Sequence, residues 1–357
     1  VRSIRIRAAL GAVATILMAG STGRPATADR PIRGVLARPA GVTAEAVVGW
    51  KAAGLSAVAV VLDESTRDEW PAVARRVAAA GLALYAWVEV GRNPTMAAAH
   101  PDWMATPGGH HDDWRKRFPD APDLDAIKVW PWVPIGYAPA FAAHRSRIEG
   151  LLDGLPDGWS GAFLNDLQGG PSSCGCGNDQ CRWALDYGTR PTAPLEPGDD
   201  PAARLVSGLI GRYPGRRIVP VWVTECQAND LPDADNGTGH CGDVPCATGA
   251  CWERYAKAWD PLVAATGTGP VALGAWSTAF RRNPETWPTT AVALFRRPPK
   301  GGTALARERS LVVFEAWGRP IADLAERSRR ADELASNWLL AIEPVDQSWE
   351  PRPGPAR

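Results

Sequence analysis

Three observations predict an eight-stranded α/β barrel of the (β/α)8, or TIM-barrel, class. Eight short apolar runs recur along the chain, and segments with helical spacing precede most of them. The whole pattern fits a single barrel of about 250 residues plus insertions. An open doubly wound sheet is the competing arrangement, and it normally carries a glycine-rich phosphate loop after its first strand. Here "RPAGVT" stands at that place, and it is not such a loop.

The eight runs are "RGVLAR" (33–38), "AVAVVLD" (57–63), "LALYAWVEV" (82–90) and "GAFLND" (161–166), then "IVPVWVTE" (218–225), "PVALGAWS" (270–277), "SLVVFEAW" (310–317) and "WLLAIE" (338–343). Short, continuously apolar runs suit parallel strands covered on both faces. Among the helical segments, "TAEAVVGWKAAG" (43–54) opens on Thr43 as an N-cap, with Ala46, Val47 and Trp50 at helical spacing. "DEWPAVARRVAAAG" (68–81), "AFAAHRSRIEGLLDGL" (140–155), "WERYAKAWDPLVAATG" (252–267) and "IADLAERSRRADELA" (321–335) follow the same logic. The helical pattern before the seventh strand, around 288–297, is weak.

Three connections are long: 92–137, 167–199 and 226–251. They follow the third, fourth and fifth strands, so in a barrel all three belong to the catalytic mouth.

The first residues read as an address rather than as fold. Arg2, Arg5 and Arg7 precede a weakly apolar stretch, Ala8 to Gly20, and "ATA" at Ala26 to Ala28 supplies small residues for cleavage. This predicts a signal peptide over 1–28, a single barrel domain over 29–357, and an exported protein, periplasmic or extracellular. The thirteen apolar residues fall short of the roughly 20 that span a bilayer. No membrane association is therefore expected once the signal is removed.

Composition bounds the function. With 357 residues, 45% apolar and 22% charged, the chain is not disordered as a whole. It carries 39 basic and 39 acidic side chains, and no electrostatic footprint for nucleic acid. Without residues 1–28 the balance is −4. The outlier is tryptophan, with seventeen copies.

Polar residues at the C-terminal ends of barrel strands face the site. The ends here offer Asp63, Glu89, Asp166, Glu225, Glu315 and Glu343, with Asp346 just beyond. Trp87, Trp222, Trp276 and Trp317 accompany them. Carboxylates bind sugar hydroxyls and do acid–base work, while indoles stack on the C–H faces of sugars. Asp166 and Glu225 end consecutive strands, which lie about 4.8 Å apart, so this pair is the expected acid/base and nucleophile couple. Glu315 is the alternative nucleophile. Asp63, Glu89 and Glu315 are expected to bind substrate, with the four tryptophans as stacking platforms.

All seven cysteines fall in the connections after the fourth and fifth strands: Cys174, Cys176, Cys181, Cys226, Cys241, Cys246 and Cys251. In an exported protein disulfides are the expectation, with one thiol left over. A structural zinc held by Cys174, Cys176, Cys181 and a fourth Cys or His240 is the alternative, although C-x-C-x₄-C is not the usual knuckle spacing. No catalytic cofactor or metal is expected. His110 and His111 with Asp112 and Asp113 are consecutive and cannot all converge on one ion, so they read as a solvated loop tip.

Three stretches carry a resemblance: "GAFLNDLQGGPSSCGCGNDQCRWALDYG" (161–188), "VPVWVTECQANDLP" (219–232) and "DQSWEPR" (346–352), with "HPDWMATPGG" (100–109) beside them. On these the chain resembles a group of exported barrel proteins classed loosely with glycoside hydrolases. The resemblance implies the barrel and a carbohydrate substrate or ligand, and it supports Asp166 and the cysteine loop as signature positions. The expected activity is hydrolysis of an oligo- or polysaccharide. A non-catalytic carbohydrate-binding or cell-envelope barrel, and a metal-dependent hydrolase using the acids with His110 or His111, are the alternatives.

Overall fold

A computed structural model describes residues 30–91, 93–100, 133, 135–136, 138–165, 167, 200–223, 238–241, 244–247, 260–274, 303–315, 329, 332 and 336–343. Eight parallel strands close into a barrel: β1 (Arg33–Ala37), β2 (Ala57–Val61), β3 (Ala83–Glu89), β4 (Gly161–Asn165), β5 (Arg217–Val223), β8 (Val271–Gly274), β9 (Ser310–Glu315) and β10 (Asn337–Ala341). Each pairs with its sequence neighbour in the barrel, and β1 closes on β10 with Arg33 opposite Trp338 and Leu36 opposite Ala341. All eight lie within the apolar runs of the sequence, give or take a residue at their N-terminal ends. The two remaining strands, β6 (Thr238–Cys241) and β7 (Val244–Ala247), form an antiparallel hairpin inside the connection after β5. That polar, cysteine-bearing stretch lacks the apolar alternation that would have announced it.

The helices are α1 (Ala44–Ala52), α2 (Trp70–Ala79), α3 (Pro94–Ala99), α4 (Ala138–Asp153) and α5 (Pro201–Arg212), and residues 260–265 are helical. The Thr43 hydroxyl caps α1 by accepting from the Ala46 N–H, and Val47 and Trp50 face inward as their spacing predicts. Helix α5 is capped by Asp200, whose carboxylate accepts from the Ala203 N–H, with Pro201 at the first helical position.

Two cores follow from strand alternation. Outward side chains such as Val35, Val58 and Val60 pack with helix residues including Val47, Trp50, Trp70 and Val73. Inward side chains fill the barrel lumen, and here large rings are matched with small residues. Tyr85, Trp87 and Phe163 share the lumen with Ala57, Ala59, Ala272 and Ala341. The Phe163 ring centre lies 5.5 Å from that of Tyr85 and 5.7 Å from that of Trp87. Val219, Val221, Leu311, Val313 and Leu339 fill the rest of the lumen, so the three rings are packed among smaller aliphatic side chains.

The same crowding sets glycines. A Cβ on Gly161 would collide with the Arg217 carbonyl, and one on Gly34 with that of Ala57, so at both points the neighbouring strand backbones meet with no side chain between.

The N-terminal end of the barrel is stapled by Asn337. Its Oδ1 accepts from the Ile32 N–H at 2.8 Å, and its Nδ2 donates to the Glu308 carbonyl at 2.7 Å. One buried amide thus joins β10 to the chain entering β1 and to the chain entering β9.

All five tryptophans whose side chains are described, Trp50, Trp70, Trp87, Trp159 and Trp338, are buried. Trp70 donates its indole N–H to the Val61 carbonyl at 3.2 Å, and Trp338 donates to Asp332 at 2.9 Å. For these residues the tryptophan excess is core, and the indole N–H groups of Trp70, Trp87 and Trp338 are hydrogen-bonded.

Candidate functional site

Strand alternation carries the lumen-facing positions of β3 and β4 up to the mouth. After Tyr85 and Trp87 the next inward residue is Glu89; after Phe163 it is Asn165. Glu89 and Asn165 are register partners on adjacent strands. The Glu89 carboxylate is oriented at both oxygens. Its Oε1 accepts from the Trp87 indole N–H at 2.8 Å, and its Oε2 accepts from the Asn165 amide at 2.8 Å. The group is half-buried, and Asn165 beneath it is buried. The Asn165 Oδ1 is buried without a hydrogen-bond partner.

The main chain at this point is also held. Arg147 of α4 donates through Nη1 to the Glu89 carbonyl at 3.0 Å. Its other edge forms a fork on Glu64, with Nε–Oε1 at 2.7 Å and Nη2–Oε2 at 3.1 Å. The loop after β2 and the end of β3 are thereby tied to one guanidinium. Asp63 caps that same loop. Its Oδ1 accepts from the Ser65 N–H (2.8 Å), the Ser65 hydroxyl (2.6 Å) and the Thr66 N–H (2.9 Å). One carboxylate oxygen of Asp63 is therefore engaged in shaping the turn.

The long connection after β3 has a built base. The Val133 N–H donates to the Gly91 carbonyl at 2.8 Å, so the chain returns beside the point where it left. His144 of α4 secures the return, its Nε2 lying 2.7 Å from the Val133 carbonyl. A carbonyl only accepts, so Nε2 carries the proton. Burial pulls this imidazole down to about 4, which keeps it neutral. Asn93 caps α3 in the same connection, and Met96 packs against Val133 and Ala140.

On the far side of the ring Glu343 follows β10. Its Oε1 accepts from the Arg38 N–H at 2.5 Å and sits close over Gly41, where a Cβ would displace it.

The sequence-predicted site residues divide as follows. Glu89 and Asp63 stand at the mouth ends of β3 and β2. Trp222 lies in β5, and Glu315 ends β9. Trp87 requires a correction: it is fully buried, one face against Phe163 and its N–H on Glu89, so it presents no stacking surface and instead orients a carboxylate. Asp166, Glu225, Trp276, Trp317, His110, His111, Cys174, Cys176, Cys181, Cys226 and Cys251 lie outside the described residues. Cys241 and Cys246 are in the β6–β7 hairpin, opposite Val244 and Gly239 respectively. Strands β4 and β5, which lead to Asp166 and Glu225, are hydrogen-bonded neighbours from Gly161–Arg217 to Leu164–Pro220. Asn165 and Arg147 were not singled out from sequence. The signal for Asn165 was its parity with Phe163 on the strand; for Arg147 there was none, because its partners are distant in sequence.

No protein-family model matches the chain, and no curated protein matches it in sequence. Among solved structures it has distant similarity to glycoside hydrolase barrels and to a sugar epimerase. A GH36 α-galactosidase from Geobacillus stearothermophilus shares 12% identity at a TM-score of 0.43, over 90% of this chain and 40% of that one. An α-amylase from Lactobacillus plantarum shares 10% identity at a TM-score of 0.43, over 87% of this chain and 70% of that one. A D-allulose 3-epimerase from Methylomonas sp. shares 12% identity at a TM-score of 0.39, over 88% of each chain. This chain spans about two fifths of the length of the α-galactosidase. The class is a TIM barrel, as its own strand order establishes.

Proposed function

We propose that this barrel is an exported glycoside hydrolase acting on an oligo- or polysaccharide at its C-terminal mouth. Asp166 and Glu225 form the carboxylate couple, and Glu89 binds a substrate hydroxyl. The observation that carries this reading is the Glu89 carboxylate, oriented at both oxygens at the lumen end of β3 and still half open to the mouth. A carboxylate fixed by two N–H donors keeps lone pairs free to accept from a sugar hydroxyl in one geometry. The pairing of β4 with β5 supports the couple, since it leads two consecutive strand ends toward the same quarter of the mouth.

In this reading one carboxyl protonates the leaving glycosidic oxygen while the other attacks the anomeric carbon, and water then releases the sugar. A separation of about 5–5.5 Å belongs to that retaining route, and a wider one, about 6.5–9.5 Å, to direct attack by water with inversion.

The test is a panel of polysaccharides and aryl glycosides, read by reducing-end release. Asp166→Asn and Glu225→Gln should each lower kcat by about 10²–10⁴-fold, and Glu89→Gln should raise KM more than it lowers kcat. Unchanged turnover in Asp166→Asn sinks the assignment of the couple. Glycan-dependent quenching of tryptophan fluorescence with no product from any substrate would instead identify a non-catalytic carbohydrate-binding barrel.

A further inference from the structure

Helix α4 holds both sides of the base of the long connection after β3. Arg147 grips the outgoing chain at the Glu89 carbonyl, and His144, one turn earlier on the same helix, grips the returning chain at the Val133 carbonyl. Between them the Val133 N–H donates to the Gly91 carbonyl at 2.8 Å. Met96, Val133 and Ala140 pack there as a small apolar cluster of their own, separate from the two barrel cores. A segment whose packing is separate in this way can open without unfolding the rest. Two buried polar atoms at the base also lack a hydrogen-bond partner, the Nδ1 of His144 and the Nδ2 of Asn93. Each leaves the closed arrangement less stable than it would be if satisfied.

We propose that this base is an acid-labile latch, in which protonation of His144 at Nδ1 opens the Gly91–Val133 pairing while the barrel stays folded. His144 is fully buried, and with Nε2 engaged on Val133 the incoming proton must sit on Nδ1, which has no partner. A charged imidazole would donate more strongly to the Val133 carbonyl, but its loss of hydration outweighs that gain. Arg147 adds repulsion from one turn away, and no carboxylate offsets it. Among the described residues nearby, Arg145 and Glu149 of α4 pair with each other, and the Glu89 carboxylate is bonded to Trp87 and Asn165. Glu64 is forked on Arg147, and Arg204 of α5 lies over the Phe141 ring. Gly91, Asn93, Met96 and Val133 bring no titratable side chain. Opening lets water reach the imidazolium, so acid shifts the balance toward the open base.

The test is hydrogen exchange of the full chain between pH 6.5 and 4, corrected for the intrinsic pH dependence of exchange and read at the Val133 amide and at amides of β2. The Val133 amide is expected to exchange before those of β2 at every pH, with protection falling about tenfold per pH unit across this range. In His144→Gln, which keeps a donor for the Val133 carbonyl, protection should stay level, and urea unfolding near neutral pH checks that the variant folds. Val133 protection equal to that of β2 throughout, or unchanged by pH in the wild type, overturns the proposal, and neither result needs a variant. An acid-dependent loss that persists in His144→Gln overturns it as well, because another group would then carry the proton.

Discussion

The Asn165 amide donates to the Glu89 carboxylate at 2.8 Å across the β3–β4 pair, so the orientation of a mouth carboxylate depends on a neutral residue one strand away. Replacing Asn165 with Ala removes a hydrogen bond to a charged group in a buried setting. Such a loss costs about 1–3 kcal/mol. Urea unfolding of Asn165→Ala should show this, and any sugar affinity that depends on Glu89 should fall with it. An unchanged midpoint and unchanged affinity would remove Asn165 from the site.

His144 gives a pH dependence with a definite sign. Its folded value of about 4 lies below the ordinary 6.5, so the unfolded chain binds this proton more readily than the folded one. Stability from this group is fully present above pH 6.5 and is lost as pH falls toward 4. The full difference is about 3 kcal/mol at most. His144→Gln keeps a donor for the Val133 carbonyl and removes the titration. The variant should therefore lose the wild-type slope of unfolding free energy between pH 6.5 and 4.

Arg147 and Glu64 should respond unequally to substitution. Arg147 is 12% exposed and Glu64 is 50% exposed. Glu64→Gln loses a solvent-screened contact and should cost under about 1 kcal/mol. Arg147→Leu also leaves the Glu89 carbonyl without its donor and should cost about 1–2 kcal/mol. Equal effects in thermal unfolding would contradict the bridging role of Arg147.

A methyl group at Gly161 has no room, because the atom it meets is backbone on β5 rather than a side chain that can turn away. Gly161→Ala should destabilise by about 3 kcal/mol, or leave the chain insoluble. A variant that melts with the wild type would show that β4 and β5 separate more easily than their pairing implies.

If the chain is exported, as the proposed function holds, its seven cysteines should leave one thiol after three disulfides. Thiol titration of the denatured, unreduced protein is expected to find one. Seven thiols together with one equivalent of zinc would favour the metal alternative.

The strands were legible because each is covered on both faces, so residues such as Val58 and Val60 on one side and Ala57 and Ala59 on the other leave no polar interruption. Thr43 was legible because capping is local. The role of Trp87 was not, because an indole near a strand end reads alike whether it faces solvent or packs on Phe163 of the neighbouring strand. The Arg147–Glu64 fork links positions far apart in sequence, and no local pattern encodes it. Asn165 carries no charge, and its importance comes from the carboxylate beside it, which no local pattern announces.

The closure of β1 on β10 has a kinetic consequence. Ile32 finds its Asn337 partner 305 residues along the chain, so the first strand keeps an unpaired edge until the last one has emerged. Pairings of such long range are slow to form, and open edges invite association with other chains. During synthesis the nascent chain therefore depends on staying unpaired longer than a protein built from local hairpins, and a truncation just short of Asn337 should aggregate rather than fold to a smaller barrel.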